Sequence, residues 1–224
     1  MLVEPFKIIL SEQALVVTFD RPCQVVSWAP LHGGFRSDVS HVLIRRVALA
    51  EERGASSRLV RQAAGRMGLR GTVVGMATSA DLRARTSATA CHGDLLVSVL
   101  TLIPSGNRRF DAGVSDNARA RKSWPVVLIF VNKRLTHELM LESLALGVEM
   151  RAMYWPAVDR SGECYETGGD QGGVAVSGYP AQRFDGDSHA LKALLAQTLA
   201  RSLAEANHEP KTIDLTSTGG TALR

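Results

Sequence analysis

Apolar positions recur with two periods along the chain, and the period changes part-way. In the first third they come in short runs of strand length. FKIILS (6–11) and ALVVTF (14–19) are separated by Glu12-Gln13 at a hairpin-like spacing, and QVVSWA (24–29) follows Pro22. Gly33-Gly34 interrupt the pattern. Residues 37–50 fit either period: Val39, Val42, Leu43, Val47 and Ala50 suit a helix, while HVLIRRVAL suits a strand. Ser56 is placed to cap a helix over SSRLVRQAAGRMG, closed by Gly68.

Strand patterns return at 72–80, at 86–92 and 95–103 around Gly93-Asp94, and at 124–132. Thr136 then caps a helix over 137–154, with Leu139, Leu141, Leu144, Val148 and Met150 among its apolar positions and Pro156 beyond its end. A polar, Gly-rich stretch at 158–170 leads into a short strand at 172–178. After Gly186, a helix carries Leu191, Leu194, Leu195, Thr198, Leu199 and Leu203 on one side. The stretch 208–224 reads as a flexible polar tail. Strands first, then strand–helix–strand–helix, predict an α/β or α+β fold: a mixed β-sheet layered with α-helices, in a single domain over 1–207.

Composition narrows the function. The 224 residues, 45% hydrophobic and 21% charged, suffice for a sizeable core. No apolar run reaches the ~20 residues of a membrane helix. The N-terminus places Glu4 where a secretory signal carries cations, so a cytoplasmic location is expected, without membrane association. Three cysteines, Cys23, Cys91 and Cys164, lack CxxC spacing and suit a reducing compartment. The net charge of +4 comes from 26 cations scattered among 22 acids. The basic clusters (Arg45-Arg46, Arg83/Arg85, Arg108-Arg109, Arg119/Arg121/Lys122) have no interleaved aromatics, so no nucleic-acid partner is expected. GxGxxG, GxxxxGK[ST] and HExxH are all missing, which gives no support to a dinucleotide site, a P-loop or a zinc hydrolase, and no metal site is assigned.

Four small-residue or polar segments border apolar strands, where a rigid sheet can present loops to a ligand: 27–34, 75–80, 111–119 and 166–170. In that order they resemble the adenosylcobinamide amidohydrolase family of corrinoid salvage, over about 25–207. The matching residues are Ser27 with Leu31-His32-Gly33-Gly34, Gly75-Met76-Ala77-Thr78, Asp111-Ala112-Gly113 with Asn117-Ala118-Arg119, Thr167-Gly168-Gly169-Asp170, and Gly186-Asp187-Ser188-His189. The chain departs from the family pattern at His32, which stands for a turn asparagine, at Asp111, at Arg121-Lys122, and at Arg151 in place of a lysine.

The resemblance implies hydrolysis of the amide joining aminopropanol to a corrin side chain, giving adenosylcobyric acid. The corrinoid is then substrate or ligand, and no further cofactor is assigned. The departures also motivate an alternative: a binding or partner protein in another biosynthetic pathway that kept the pocket and lost the chemistry. Amide hydrolysis needs a nucleophile or activated water, a proton donor for the leaving amine, and donors for the oxyanion. His189 in a first helical turn is a candidate acid/base, Asp170 a group to orient a histidine or water, and Ser27 or Thr78 a nucleophile. His32, Gly33, Gly34, Asn117, Arg119, Thr167 and Gly168 are candidates for substrate binding, with His32 also able to ligate cobalt or act as a second base. Cys91-His92 fall on opposite faces of a strand, and a buried Cys91 is expected. A homodimer is compatible with the sequence. The whole reading requires these distant stretches to converge on one cleft.

Overall fold

A computed structural model of the protein describes residues 6–48, 57–103, 125–154, 174–178 and 182–208. The described chain forms eight strands and three helices: β1 (Phe6–Leu10), β2 (Ala14–Ser27), β3 (Gly34–Arg46), α1 (Ser57–Arg66), β4 (Thr72–Thr78), β5 (Arg85–His92), β6 (Leu95–Leu102), β7 (Val126–Val131), α2 (His137–Tyr154), β8 (Val174–Gly178) and α3 (Ser188–His208). The ambiguous stretch after Gly34 is a strand. Ser56, Pro156 and the tail from 209 lie outside the described residues.

All strands join one sheet in the order β4-β3-β2-β8-β7-β6-β5, with β1 also on β2. The β3–β4 and β7–β8 pairs are parallel and the others antiparallel. This is the expected mixed sheet with helices, an α+β domain. β1 and β8 share one edge of β2: β1 pairs with Leu15 through Phe19, β8 with Gln24 through Ser27.

The runs at 14–19 and 24–29 are thus one strand rather than two. Between Thr18↔His41 and Cys23↔Val39, β2 advances five residues while β3 advances two. The surplus, Asp20-Arg21-Pro22, is exposed, and Pro22 has no N–H to lend a ladder. Here the two-stranded ribbon bends. Gly75 of β4 pairs with Leu43 of β3, nine residues beyond Gly34, which a straight strand would carry about 30 Å away. Yet Leu31, only three residues before Gly34 and within about 10 Å of chain reach, also pairs with Gly75, through Leu31 N–H to Gly75 O at 3.1 Å and Gly75 N–H to Leu31 O at 3.0 Å. The ribbon folds back so that its tip closes on the outer edge of β4.

Period-two alternation divides the strand residues between layers. Leu15, Val17 and Phe19 of β2, Val42 and Ile44 of β3, and Val74 and Met76 of β4 meet Leu100 and Leu102 of β6 and Val126, Leu128 and Phe130 of β7 in an inner core. The phenyl rings of Phe6 and Phe130 stack there at 4.3 Å. The opposite rows face helices. Ala14, Val16, Leu43 and Val73 pack on Val60, Ala63 and Ala64 of α1. Val97, Val99, Val127, Ile129 and Val131 pack on Met140 and Leu144 of α2 and the leucines of α3. All six one-sided positions read from the α3 sequence are buried. Its far end is tied to the sheet by Thr86 Oγ1–H to Ser202 O at 2.8 Å and by the Thr101 and Ser202 hydroxyls at 2.9 Å.

Both helix caps of α2 and α3 are local. Thr136 Oγ1 accepts the Leu139 N–H at 3.3 Å, and Asp187 Oδ1 accepts the His189 N–H at 2.9 Å. α1 stops where Gly68 turns left-handed, φ +65°.

Candidate functional site

Ser27 ends β2, opposite Gly34 on one side and Ala175 of β8 on the other. It continues the inner row of Cys23 and Val25 and is 1% exposed. Its Oγ accepts the Ala29 N–H at 3.4 Å, and among the described residues it donates to no acceptor. Thr78 repeats this arrangement at the end of β4: 1% exposed, in the inner row after Val74 and Met76, with Oγ1 accepting the Ala80 N–H at 3.1 Å. The Leu31–Gly75 bridge is antiparallel, so the chain preceding Leu31 runs toward the end of β4 that carries Thr78. Ala29 and Ala80 both join the inner core.

The turn at the ribbon tip explains two of its residues. His32 is left-handed, φ +52°, the one such non-glycine residue in the described chain. Histidine, like asparagine, is among the side chains that tolerate this conformation. A Cβ on Gly33 would run into the Ala29 carbonyl, so the tip closes only around a glycine. His32 Nδ1 lies 3.0 Å from the Val73 carbonyl, and the ring is exposed.

The two long segments 104–124 and 155–173 attach at this same end. Ile103 N–H bonds Ala84 O at 2.9 Å, beyond Thr78 on the β4–β5 connection. Leu102 pairs with Val126, Val127 with Val174, and Ala175 with Ser27. Arg151 near the end of α2 is 5% exposed and donates through Nη1 to Pro125 O at 3.4 Å. A buried guanidinium beside these attachment points is a feature that neither period nor composition marks. Asp111, Asn117, Arg119, Arg121, Thr167, Gly168 and Asp170 lie outside the described residues.

Residues 2–214 match the family of adenosylcobinamide amidohydrolase. The chain belongs to that family. Among curated proteins none matches the sequence closely enough to serve as a relative. Among solved structures the chain is similar to the L-aminopeptidase D-Ala-esterase/amidase of Ochrobactrum anthropi, described as a prototype for the serine aminopeptidases and a variant of the Ntn hydrolase fold. The identity is 11% over 90% of this chain and 82% of that one, with a TM-score of 0.40, too distant to transfer any residue.

In this member of the adenosylcobinamide amidohydrolase family, His189 sits elsewhere. It is exposed in the first turn of α3, whereas Ser202, thirteen residues on, meets Thr101 at the Ser27 end of the sheet. Thirteen helical residues span about 20 Å, so the structure does not bring His189 to Ser27. The C-terminal end of β7, away from Ser27, carries a polar cluster of its own. There Lys133, 6% exposed along its side chain, donates Nζ–H bonds to Asp94 Oδ2 and, at 2.5 Å, to Gln182 Oε1. The Lys133 ammonium holds the Asp94 carboxyl below its ordinary value, by hydrogen bonding first and charge second. Asn132 ties the same corner, accepting the Leu96 N–H at 2.8 Å and donating to Asp94 O at 2.8 Å.

Neither of the two described thiols offers a second nucleophile at the tip. Burial, with Asp20 nearby, pushes Cys23 up to about 12, so it stays protonated. Cys91 is exposed, not buried as expected. The inward row of β5 is Thr86 and Ala88, which leaves Cys91 on the outward row with Ser87 and Thr89. Among the described residues no three His, Cys, Asp or Glu side chains gather as a metal site, and no helix is long and apolar enough to cross a membrane.

Proposed function

We propose that this family member hydrolyses the aminopropanol amide of adenosylcobinamide, releasing aminopropanol and adenosylcobyric acid within the cytoplasm, with the corrinoid as its small-molecule partner. The observation that carries the reading is Ser27: a buried hydroxyl that donates to no acceptor among the described residues, at the tip where both long segments attach. Ser27 Oγ attacks the amide carbonyl as its proton passes to Asp170, which stands five residues before the β8 residue that pairs with Ser27. The oxyanion is met by backbone N–H groups of the Gly33-Gly34 turn and by the Thr78 hydroxyl. Asp170 returns the proton to the departing amine, the C–N bond breaks, and a corrin-acyl serine remains. Water then cleaves that ester to the carboxylic acid and restores Ser27.

Asn117 bonds the amide fringe of the corrin, and Arg119 and Arg151 supply positive charge for the product carboxylate. Thr167 and Gly168 border the arm, while His189 takes no part. Incubation of the purified protein with adenosylcobinamide, followed by mass spectrometry, should yield both products. A corrinoid recovered intact across the pH range overturns the assignment.

A further inference from the structure

The two described histidines at the rim of β3 and β4 differ in what their rings have left to offer. His41 spends both nitrogens inside the protein. Its Nε2 lies 3.0 Å from the Arg70 carbonyl, which can only accept, so Nε2 carries the hydrogen and Nδ1 accepts the Thr18 hydroxyl at 3.0 Å. His32 spends one. The Val73 carbonyl at 3.0 Å likewise only accepts, so Nδ1 carries the hydrogen. The neutral ring then presents Nε2 with its lone pair, on an exposed side chain, and no protein group among the described residues takes it.

A ring whose N–H is held by a backbone carbonyl, with the opposite nitrogen open, is arranged as a metal ligand: the hydrogen bond fixes the tautomer and raises donor strength. The ring is also positionally fixed. The backbone is left-handed at φ +52°, Gly33 packs on Ala29, and Leu31 is bonded at both ends of its peptide unit to Gly75. Five residues separate His32 from Ser27, a reach of at most about 17 Å. The scissile amide hangs one propionyl arm from the macrocycle, on the side where the lower axial position of cobalt lies. That span is short enough for one turn to hold the metal while Ser27 reaches the arm.

We propose that His32 Nε2 is the lower axial ligand of the corrinoid cobalt, so that the ribbon tip selects the substrate by its metal as well as by its amide. This rests on the corrinoid reading above. In the step, the bond from cobalt to its lower water breaks and a cobalt–nitrogen bond forms; water leaves, and neither electron nor proton moves. His32 acts as a positioning and selecting residue and does not take part in the hydrolysis.

The probe is cob(II)inamide, bound to the full chain and observed by electron paramagnetic resonance, where one axial nitrogen splits the cobalt lines into triplets. The wild-type complex should show triplets. His32→Asn keeps a side chain suited to the left-handed turn but lacks the imidazole, and should bind without them. Adenosylcobinamide should redden on binding the wild type and stay yellow on the variant. Its KM should rise about tenfold in the variant, with kcat changed far less, as expected when an interaction common to ground and transition states is lost. Turnover by wild type without triplets, or triplets persisting in His32→Asn, overturns the ligation and leaves the hydrolase assignment standing. Failure of the wild type both to bind cob(II)inamide and to hydrolyse adenosylcobinamide overturns the two together.

Discussion

The opposite ends of β7 and β8 solve different problems with the same strands. At the C-terminal end the connection to α2 is short, and Lys133 is buried against Asp94 and Gln182, joining the β5–β6 turn and the approach to α3 into one corner. Every polar group named there has a partner inside the protein. At the other end Ser27 and Thr78 are equally buried, yet each hydroxyl accepts one N–H and, among the described residues, donates to none. Two long segments attach beside them. The contrast separates polar burial that holds a fold from polar burial that awaits a substrate: in the first the buried cation is held by two acceptors, in the second the hydroxyls find no acceptor among the described residues.

The sharpest way to break this division is Ser27→Ala. It removes one oxygen without opening a large void, so kcat should fall roughly a thousandfold or more while the thermal midpoint barely moves. A variant that keeps its turnover would dissolve the distinction between the two ends. Gly33→Ala drives a methyl group into the Ala29 carbonyl and should displace the tip. We expect a loss of about 1–3 kcal/mol in urea unfolding together with a fall in activity, because the turn serves both.

Lys133→Ala reverses the pattern at the far end. It should cost about 1–3 kcal/mol in stability and leave turnover near wild type; lost turnover with intact stability would mean that the corner belongs to the active site. Acid sharpens the same point. Asp94 titrates below its ordinary value of 3.8 in the folded protein, so its pairing with Lys133 stabilises fully above that value and the contribution vanishes as pH falls through the folded one. Urea midpoints compared between about pH 6 and about pH 2.5 should fall less steeply for Asp94→Asn than for wild type. The smallest effect concerns thiols: near pH 8 a disulfide reagent should modify Cys91 promptly and Cys23 only after unfolding, with activity unchanged by the first event.

Much of the fold was legible because its layers rest on simple periods. The unbroken apolar run of β7 reads as a strand covered on both faces, as it is, the one-sided leucines of α3 specify its buried face, and Thr136 marks the start of α2. The stretch after Gly34 was not decidable locally, because the same valines serve either period until β2 and β4 claim both edges of the strand. The unity of β2 was hidden as well, since Pro22 reads as a strand breaker and becomes tolerable only at a solvent-facing bulge.

In the site, Ser27, Thr78 and the tip glycines follow from small residues at strand ends, whereas Lys133 looks like an ordinary surface cation in sequence and Arg151 is marked only by the family resemblance, not as buried. Their burial depends on partners from distant segments, which no spacing encodes. His189 shows the converse. A helix start is easy to recognise, but only the sheet decides which end of the molecule it occupies.

Leu31 gives the bent ribbon a duty beyond shaping a turn. An outermost strand with free peptide groups invites pairing with a neighbouring molecule, and this short crosspiece occupies Gly75 in the middle of β4. The lip of the proposed cleft is therefore also a guard against strand-on-strand clumping. Variants that loosen it should precipitate on concentration before their chemistry fails.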